Sequence, residues 1–472
     1  MVFNSLAFLA FFPIVCLVYY LIPSLRWKNL FLLAASYYFY MSWQPVYALL
    51  LLSSTLITWG ASLAIEKDAR RKRLWLILAI VLNLGILFFF KYFNWAAENV
   101  AAVASAMGLT MQVPNLDVLL PVGISFYTFQ ALGYAIDVYR GDVKAERDVL
   151  TYALFVAFFP QLVAGPIERS GNLLPQFKTR HTFDGDRAIK GMLLMLWGFF
   201  LKIVIANNLA NYVDDVYDNL PEQSGWNILS ASIFFCIQLY GDFAGYSYIA
   251  IGAARIMGFH LMDNFLRPYF FSATVQEYWR RNHISLTTWL MDYIYYPMVG
   301  SSISKAWWCF CIFLTFFISG FWHGANWTYV MSFSIFGLYL VVCILKDKRQ
   351  KKFERKHGLK NAAWWIWTNR AVTFFLVMIA LVFFRANTLS DGFYALTHLV
   401  PGMTGGAVNR SLFHFLLILM VFGVEYCVEY KKAAAFIQRH FLLSYTVMSL
   451  VLSLVMLWLG EFTGGQFIYF QF

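Results

Sequence analysis

The segment Gly-Phe-Trp-His-Gly-Ala-Asn-Trp, beginning at Gly320, sets one imidazole, His323, between the apolar runs 307–321 and 327–345. An ionisable side chain in such surroundings is costly unless it is partnered, so it marks a functional position by default. Imidazole exchanges protons near neutral pH and suits general acid–base catalysis. Ser319, Gly320, Gly324 and Ala325 are small enough to leave room for a cavity beside the ring, and Asn326 is placed to orient it. The competing reading is a histidine hydrogen-bonded between packed helices, with no chemistry of its own.

A second polar constellation begins at Arg280 and reads Arg-Arg-Asn-His-Ile-Ser-Leu-Thr-Thr-Trp-Leu-Met-Asp-Tyr-Ile-Tyr-Tyr-Pro. His283, Ser285, Thr287, Thr288 and Asp292 bring polarity beside Trp289 and a tyrosine cluster. On a helix, His283, Thr287 and Met291 share a face, while Asp292 falls about 180° from His283, so a direct pair on one helix is not expected. Arg280 and Arg281 suit an anionic group, whether lipid phosphate or an acidic substrate. The last residues, Gly-Gly-Gln-Phe-Ile-Tyr-Phe-Gln-Phe, read by composition alone as an aromatic interfacial anchor.

The elements that must hold these residues are membrane helices. Of 472 residues, 60% are hydrophobic and 13% charged, and the mean hydropathy is +0.61. Soluble domains carry about 25% charge and cannot hide this much apolar surface. Apolar runs fall at 5–22, 29–43, 46–64, 74–90, 119–139, 190–206, 227–256, 307–321, 327–345, 364–384, 413–429 and 444–459. Each approaches the length that spans hydrocarbon, which predicts about twelve crossings. Two further pieces, near 150–165 and 284–300, carry Pro and Gly and fit re-entrant or interfacial helices. The first run lacks the flanks of a cleavable signal and is read as an uncleaved span.

Charge orients this bundle. The loop 65–73 is basic, 346–360 carries eight Lys or Arg, and Lys431, Lys432 and Arg439 make a third basic loop. The loop 207–225 holds Asp214, Asp215, Asp218 and Glu222 without Lys or Arg. The positive-inside rule puts the basic loops in the cytoplasm. Both termini and the turn after His323 then face outwards. The net charge of +11 follows from such loops, and nucleic-acid binding is not expected because no long basic tract interleaves with aromatics. Cys16, Cys236, Cys309, Cys311, Cys343 and Cys427 all lie in apolar segments without zinc spacing, so neither a metal nor a disulfide is expected.

Further segments complete a recognisable order: Leu-Val-Ala-Gly-Pro-Ile-Glu-Arg from Leu162, Leu-Leu-Pro-Gln-Phe from Leu173, Asp-Phe-Ala-Gly-Tyr-Ser from Asp242 and Asn-Phe-Leu-Arg-Pro-Tyr from Asn264. Glu-Tyr-Trp-Arg-Arg-Asn-His-Ile-Ser-Leu from Glu277 and the His323 segment follow. Together they resemble the membrane-bound O-acyltransferase superfamily, in its bacterial branch of alginate O-acetyltransferases. The resemblance runs the length of the chain, with a core near 120–345. The chain departs from the usual pattern at Asn282, Met291 and Tyr248, which puts acceptor and partner in doubt more than reaction class.

The resemblance implies an all-α polytopic bundle around a transmembrane tunnel, one domain over 1–472, in a bacterial cytoplasmic membrane. It implies His323 as the catalytic histidine and His283 as a second important one, with Arg280, Arg281, Ser285, Asp292, Trp322 and Asn326 around the substrate. It implies a cytoplasmic thioester donor such as acetyl-CoA, no bound cofactor, a polysaccharide acceptor and an extracytoplasmic serine-hydrolase-fold partner. The C-terminus is similar to a Phe-x-Tyr-Phe-x-Phe segment whose tyrosine, here Tyr469, serves as transient acyl carrier. The alternatives are a D-alanyl transferase for teichoic acids, a transporter, or a non-catalytic scaffold for polymer export.

Overall fold

The computed structural model describes all residues except 112, 115, 117–119, 401–411, 431–438, 440, 463–466 and 469–472. Among the described residues the secondary structure is helical throughout. Among the described residues nine helices are long and apolar enough to cross a membrane: Tyr47–Lys67, Lys72–Lys91, Gly185–Asp218, Gly225–Met257, Lys305–His323, Trp327–Lys356, Ala363–Arg385, Leu412–Glu429 and Leu442–Leu459. The apolar helix Leu6–Leu21 is shorter, as are Leu25–Met41 and Ile124–Arg140, which occupy two more of the expected runs. The protein is a multi-pass membrane protein. Its outward-facing leucines, among them Leu17, Leu21, Leu419 and Leu457, are more than half exposed, as lipid contact requires.

The two Pro- and Gly-bearing pieces are broken into short helices. Residues 149–162 form Val149–Ala157 and Phe159–Leu162, both buried over most of their length. Residues 284–299 form Ile284–Leu290, a π turn at Met291–Tyr295 and Tyr296–Val299.

Two segments expected as loops are helical instead. The acidic stretch Asn207–Asp218 continues the helix before it and buries Leu209, Tyr212, Val213, Val216 and Tyr217 on one face. The basic stretch from Lys346 extends Trp327–Lys356 by several turns. Lys, Arg, Gln and Glu are good helix formers, and Lys351 pairs with Asp347 one turn earlier at 2.8 Å. Loop charge therefore marked the ends of the apolar runs and not the ends of the helices. Lys431 and Lys432 lie outside the described residues.

The chain folds as two compact units: Met1–Met195 with Ile249–Met262, and Leu196–Tyr248 with Asp263–Phe472. In the first, polar side chains within apolar helices find partners on their neighbours. Ser54 donates to Asn83 at 2.5 Å, and Thr58 and Tyr152 share a hydrogen bond of 2.7 Å. Glu168, 2% exposed, accepts from the backbone N–H of Met262 at 2.5 Å and from Asn172 at 2.8 Å.

The second unit carries the histidines. Helix Lys305–His323 and helix Trp327–Lys356 form a hairpin joined by Gly324, Ala325 and Asn326. Its glycines do not open a cavity, contrary to expectation. A Cβ on Gly320 would lie 2.7 Å from Val330 Cα, and one on Gly324 would lie 2.4 Å from the Tyr329 ring. At Gly320 the absent side chain lets the two helices touch backbone to backbone, and at Gly324 it leaves room for the Tyr329 ring.

Candidate active site

His323 ends its helix with the ring 3% exposed. Its Nδ1 stands 2.7 Å from the carbonyl oxygen of Ser319, one turn earlier. A carbonyl only accepts, so Nδ1 carries the proton and Nε2 is the basic nitrogen of the neutral ring. Phe333 stacks on the ring at 4.1 Å between centroids, with Trp322 at 4.8 Å and Phe384 at 5.7 Å. A base fixed in orientation and enclosed by aromatics is suited to taking a proton from a weakly acidic hydroxyl.

Asn326 does not orient this ring. Its oxygen accepts from Thr328 N–H at 3.0 Å, capping the following helix, and its amide donates to the Asn387 carbonyl at 3.2 Å. Helix starts need a side-chain acceptor of this kind, and that need outcompetes the histidine. The ring is held by its own helix.

His283 is 2% exposed and its ring centroid lies 6.4 Å from that of His323. Trp322 reaches both rings, at 5.6 Å from His283. His283 has φ 44° and ψ 52°, the one positive φ outside glycine among the described residues. A left-handed residue with a Cβ costs about 1–2 kcal/mol, and such outliers gather at functional sites. The conformation turns the chain from helix Val275–Arg281 into helix Ile284–Leu290 while leaving the imidazole inside.

Asn264 makes that turn possible. It is fully buried, and its amide oxygen accepts from Ser285 N–H at 3.2 Å, from Ser285 Oγ at 2.9 Å and from His283 Nδ1 at 3.3 Å. Its amide nitrogen donates to Ser247 Oγ at 3.2 Å. The Ser285 N–H identifies the amide oxygen, so His283 too carries its proton on Nδ1. Ser285 thus belongs to the second histidine's support.

The other predicted residues divide. Arg281 is committed internally, pairing with Glu277 at 2.5 Å and donating to the Pro268 carbonyl. Arg280 and Asp292 are exposed, and Asp292 sits on the π turn. Tyr469 lies outside the described residues. No group of His, Cys, Asp and Glu suited to a metal occurs among the described residues, and the cysteines are unbridged.

Both histidines line one cavity, and a second cavity shares a wall with it. One is an aromatic cleft of about 30 Å³ bounded by Phe243, Trp279, His283, His323, Phe333 and Phe384. The other is a polar cavity of about 410 Å³ that shares Phe384 and reaches Lys202, Asp242, Asn326, Arg385 and Ile468. At its rim Arg385 pairs with Asp214 at 2.8 Å and Asp218 at 3.3 Å.

Lys202 and Asp242 were not singled out by sequence, although both interrupt apolar runs. Their side chains are 7% and 5% exposed and meet at 2.5 Å. Lys202 lies in a π segment, Phe200–Ala206, inside an otherwise α-helical span, a distortion common at functional positions. Gly245 lets the second helix close on it: a Cβ there would be 2.7 Å from the Gly198 carbonyl. The rule that flagged His323 would have flagged this pair as well.

The family model for membrane-bound O-acyltransferases matches residues 6–389. A protein named "Probable alginate O-acetylase" from Pseudomonas aeruginosa is 37% identical over 439 residues, covering 90% of this chain and 82% of its own length. The peptidoglycan O-acetyltransferase of Helicobacter pylori is 31% identical, covering 93% and 84%. The teichoic acid D-alanyltransferase of Bacillus subtilis is 28% identical but covers only 56% of this chain. With a family match over most of its length and a buried histidine pair in the segments that carry the match, this chain belongs to the membrane-bound O-acyltransferase family and is an integral-membrane acyltransferase.

Proposed function

We propose that this protein moves an acetyl group from a cytoplasmic thioester donor, acetyl-CoA, across the membrane for O-acetylation of an extracytoplasmic polysaccharide. One observation carries the reading: His323 presents a basic Nε2 while Nδ1 is pinned to Ser319, within 6.4 Å of a second buried imidazole, His283. The relatives that match most of the chain are named for O-acetyl transfer to alginate and peptidoglycan, which supports a glycan acceptor.

In this reading Nε2 of His323 takes the proton of the Tyr469 hydroxyl. A phenol of pKa about 10 needs such a base. The phenolate oxygen attacks the thioester carbonyl, the C–S bond breaks, and the imidazolium returns the proton to the departing thiolate. The products are free thiol and acetyl-tyrosine. The ester then passes its acetyl group to an acceptor hydroxyl, that of a serine on an extracytoplasmic hydrolase-fold partner, and tyrosine recovers its proton. Arg280, exposed before the second histidine, suits the donor's phosphates at the cytoplasmic face. The host membrane is the bacterial cytoplasmic membrane, with both termini outside.

The test is acetyl transfer in reconstituted vesicles. His323→Ala should lower it by at least about 10²-fold, within the usual range for losing a general base, at unchanged protein level. Acetylation persisting at normal rate would reject the catalytic role. Undiminished transfer by Tyr469→Phe would return the C-terminus to an aromatic anchor. Use of a carrier-protein D-alanyl thioester in place of acetyl-CoA would favour the D-alanyl reading instead.

A further inference from the structure

The buried pair of Lys202 and Asp242 is unexplained by folding stability. Removing two charges from water costs several kcal/mol per ion, and a buried pair is often no more stable than apolar residues of the same size. Within an apolar span it needs another purpose.

The carboxylate of Asp242 has two roles. One oxygen meets Lys202 Nζ at 2.5 Å. The other accepts the backbone N–H of Ile468 at 2.7 Å. The same helix, Gly225–Met257, holds the neighbouring residue of the tail: Phe467 stacks on Tyr246 with ring centroids 4.6 Å apart and lies 6.1 Å from Phe243. Phe243 in turn meets the His283 ring edge-on at 4.5 Å. Phe467 and Ile468 are 4% and 7% exposed, so these two residues are sequestered there.

The π segment grips the tail at a second place. A π turn shifts the register of helix hydrogen bonds and leaves carbonyls for other donors. Ile203 O accepts Glu461 N–H at 3.0 Å. Just beyond, Asn207 donates to the Glu461 carbonyl at 2.7 Å and Asn208 to the Leu459 carbonyl at 2.8 Å. The distortion that brings Lys202 to Asp242 therefore also fastens the start of the tail.

We propose that Lys202 and Asp242 are positioning residues whose task is to seat the C-terminal segment, through the Ile468 N–H and the Phe467 ring, on the helix whose Phe243 meets His283. The proposal rests on the reading of Tyr469 as acyl carrier. Lys202 holds one oxygen of Asp242 and so fixes how the carboxyl group is turned, and the other oxygen holds the tail in one register. A slip by one residue would put the nucleophile of that reading out of register.

The experiment uses the purified full chain in nanodiscs. Ile468→Pro removes the N–H while leaving the ion pair intact, and Lys202→Met leaves the tail sequence intact. The double variant Lys202→Asp, Asp242→Lys keeps a buried pair but exchanges which helix carries the carboxylate. Hydrogen exchange of the C-terminal peptide reads seating directly, and acetyl transfer from acetyl-CoA reads its consequence. Charge-assisted hydrogen bonds of this kind are among the stronger ones, so each variant should raise exchange of that peptide about tenfold or more. Exchange in Lys305–His323 should stay unchanged. Transfer should fall through kcat, with KM for acetyl-CoA held. An unprotected tail in the unaltered protein, or unchanged exchange in the Ile468→Pro and charge-exchanged variants, would overturn the anchor. Raised exchange with transfer at the original rate would overturn its positioning role. Full transfer by Tyr469→Phe with the tail still protected would instead overturn the carrier reading, and the two failures are thereby told apart.

Discussion

Replacing Asn264 by leucine tests whether the second histidine is held by a fully buried amide. Leucine has the same branched side-chain skeleton with bulkier ends, so the shape is largely kept while the hydrogen bonds are lost. Three donors converge on the lost oxygen: Ser285 N–H, Ser285 Oγ and His283 Nδ1. The serine hydroxyl can rotate towards a helix carbonyl. The backbone N–H and the imidazole N–H cannot. A buried donor left without its acceptor costs about 1–3 kcal/mol, so the substitution should destabilise by roughly 2–6 kcal/mol. His283, already in a left-handed backbone conformation, would also lose the bond that favours its present tautomer. The expected outcome is a melting temperature lower by several degrees, read by intrinsic tryptophan fluorescence in detergent, and a reduced transfer rate at saturating donor. Asn264→Asp keeps the acceptor and should recover part of both losses. Unchanged melting and unchanged transfer in Asn264→Leu would refute the role assigned to this amide.

Gly320→Val should prevent the hairpin from closing, because its Cβ would meet Val330 Cα at 2.7 Å and the Tyr329 carbonyl at 2.9 Å. The obstruction is backbone and cannot rotate away, so a loss of about 1–3 kcal/mol or more is expected. Gly171→Ala, with nothing within 4 Å of the added Cβ, should melt at the original temperature or above it. Glu168, outside the spans, has its carboxyl raised by burial from 4.5 to about 7. The folded state then holds a proton that the unfolded chain releases, so stability should fall as pH rises from 4.5 towards 7 and level off above. The full amplitude is roughly 3 kcal/mol, and Glu168→Gln should flatten the profile of melting temperature against pH.

The helical membrane fold is legible in the chain because hydrocarbon allows few solutions. A backbone without water must satisfy itself within the segment, so long apolar runs become helices. The same physics exposes His323, since a lone imidazole in an apolar run needs a reason. It also exposes the interrupted pieces at 150–165 and 284–300, where Pro and Gly break the helix. His283 is buried and Asp292, nine residues on, is exposed.

Tertiary structure alone decided the partners. Helical periodicity tells which face a residue occupies and says nothing of what stands opposite. Asn264 reaches His283 from 19 residues away, and Asp242 holds Ile468 from 226 residues away. Lys202 and Asp242 stand in separate apolar runs, and only the approach of two helices through Gly245 makes them a pair. Asn326 shows the converse. Its place beside His323 in sequence suggested an orienting role, but the nearest unmet demand in space was the open start of the next helix, and the side chain went there. Burial presses polar groups to find partners, and which partner each one finds depends on the tertiary arrangement.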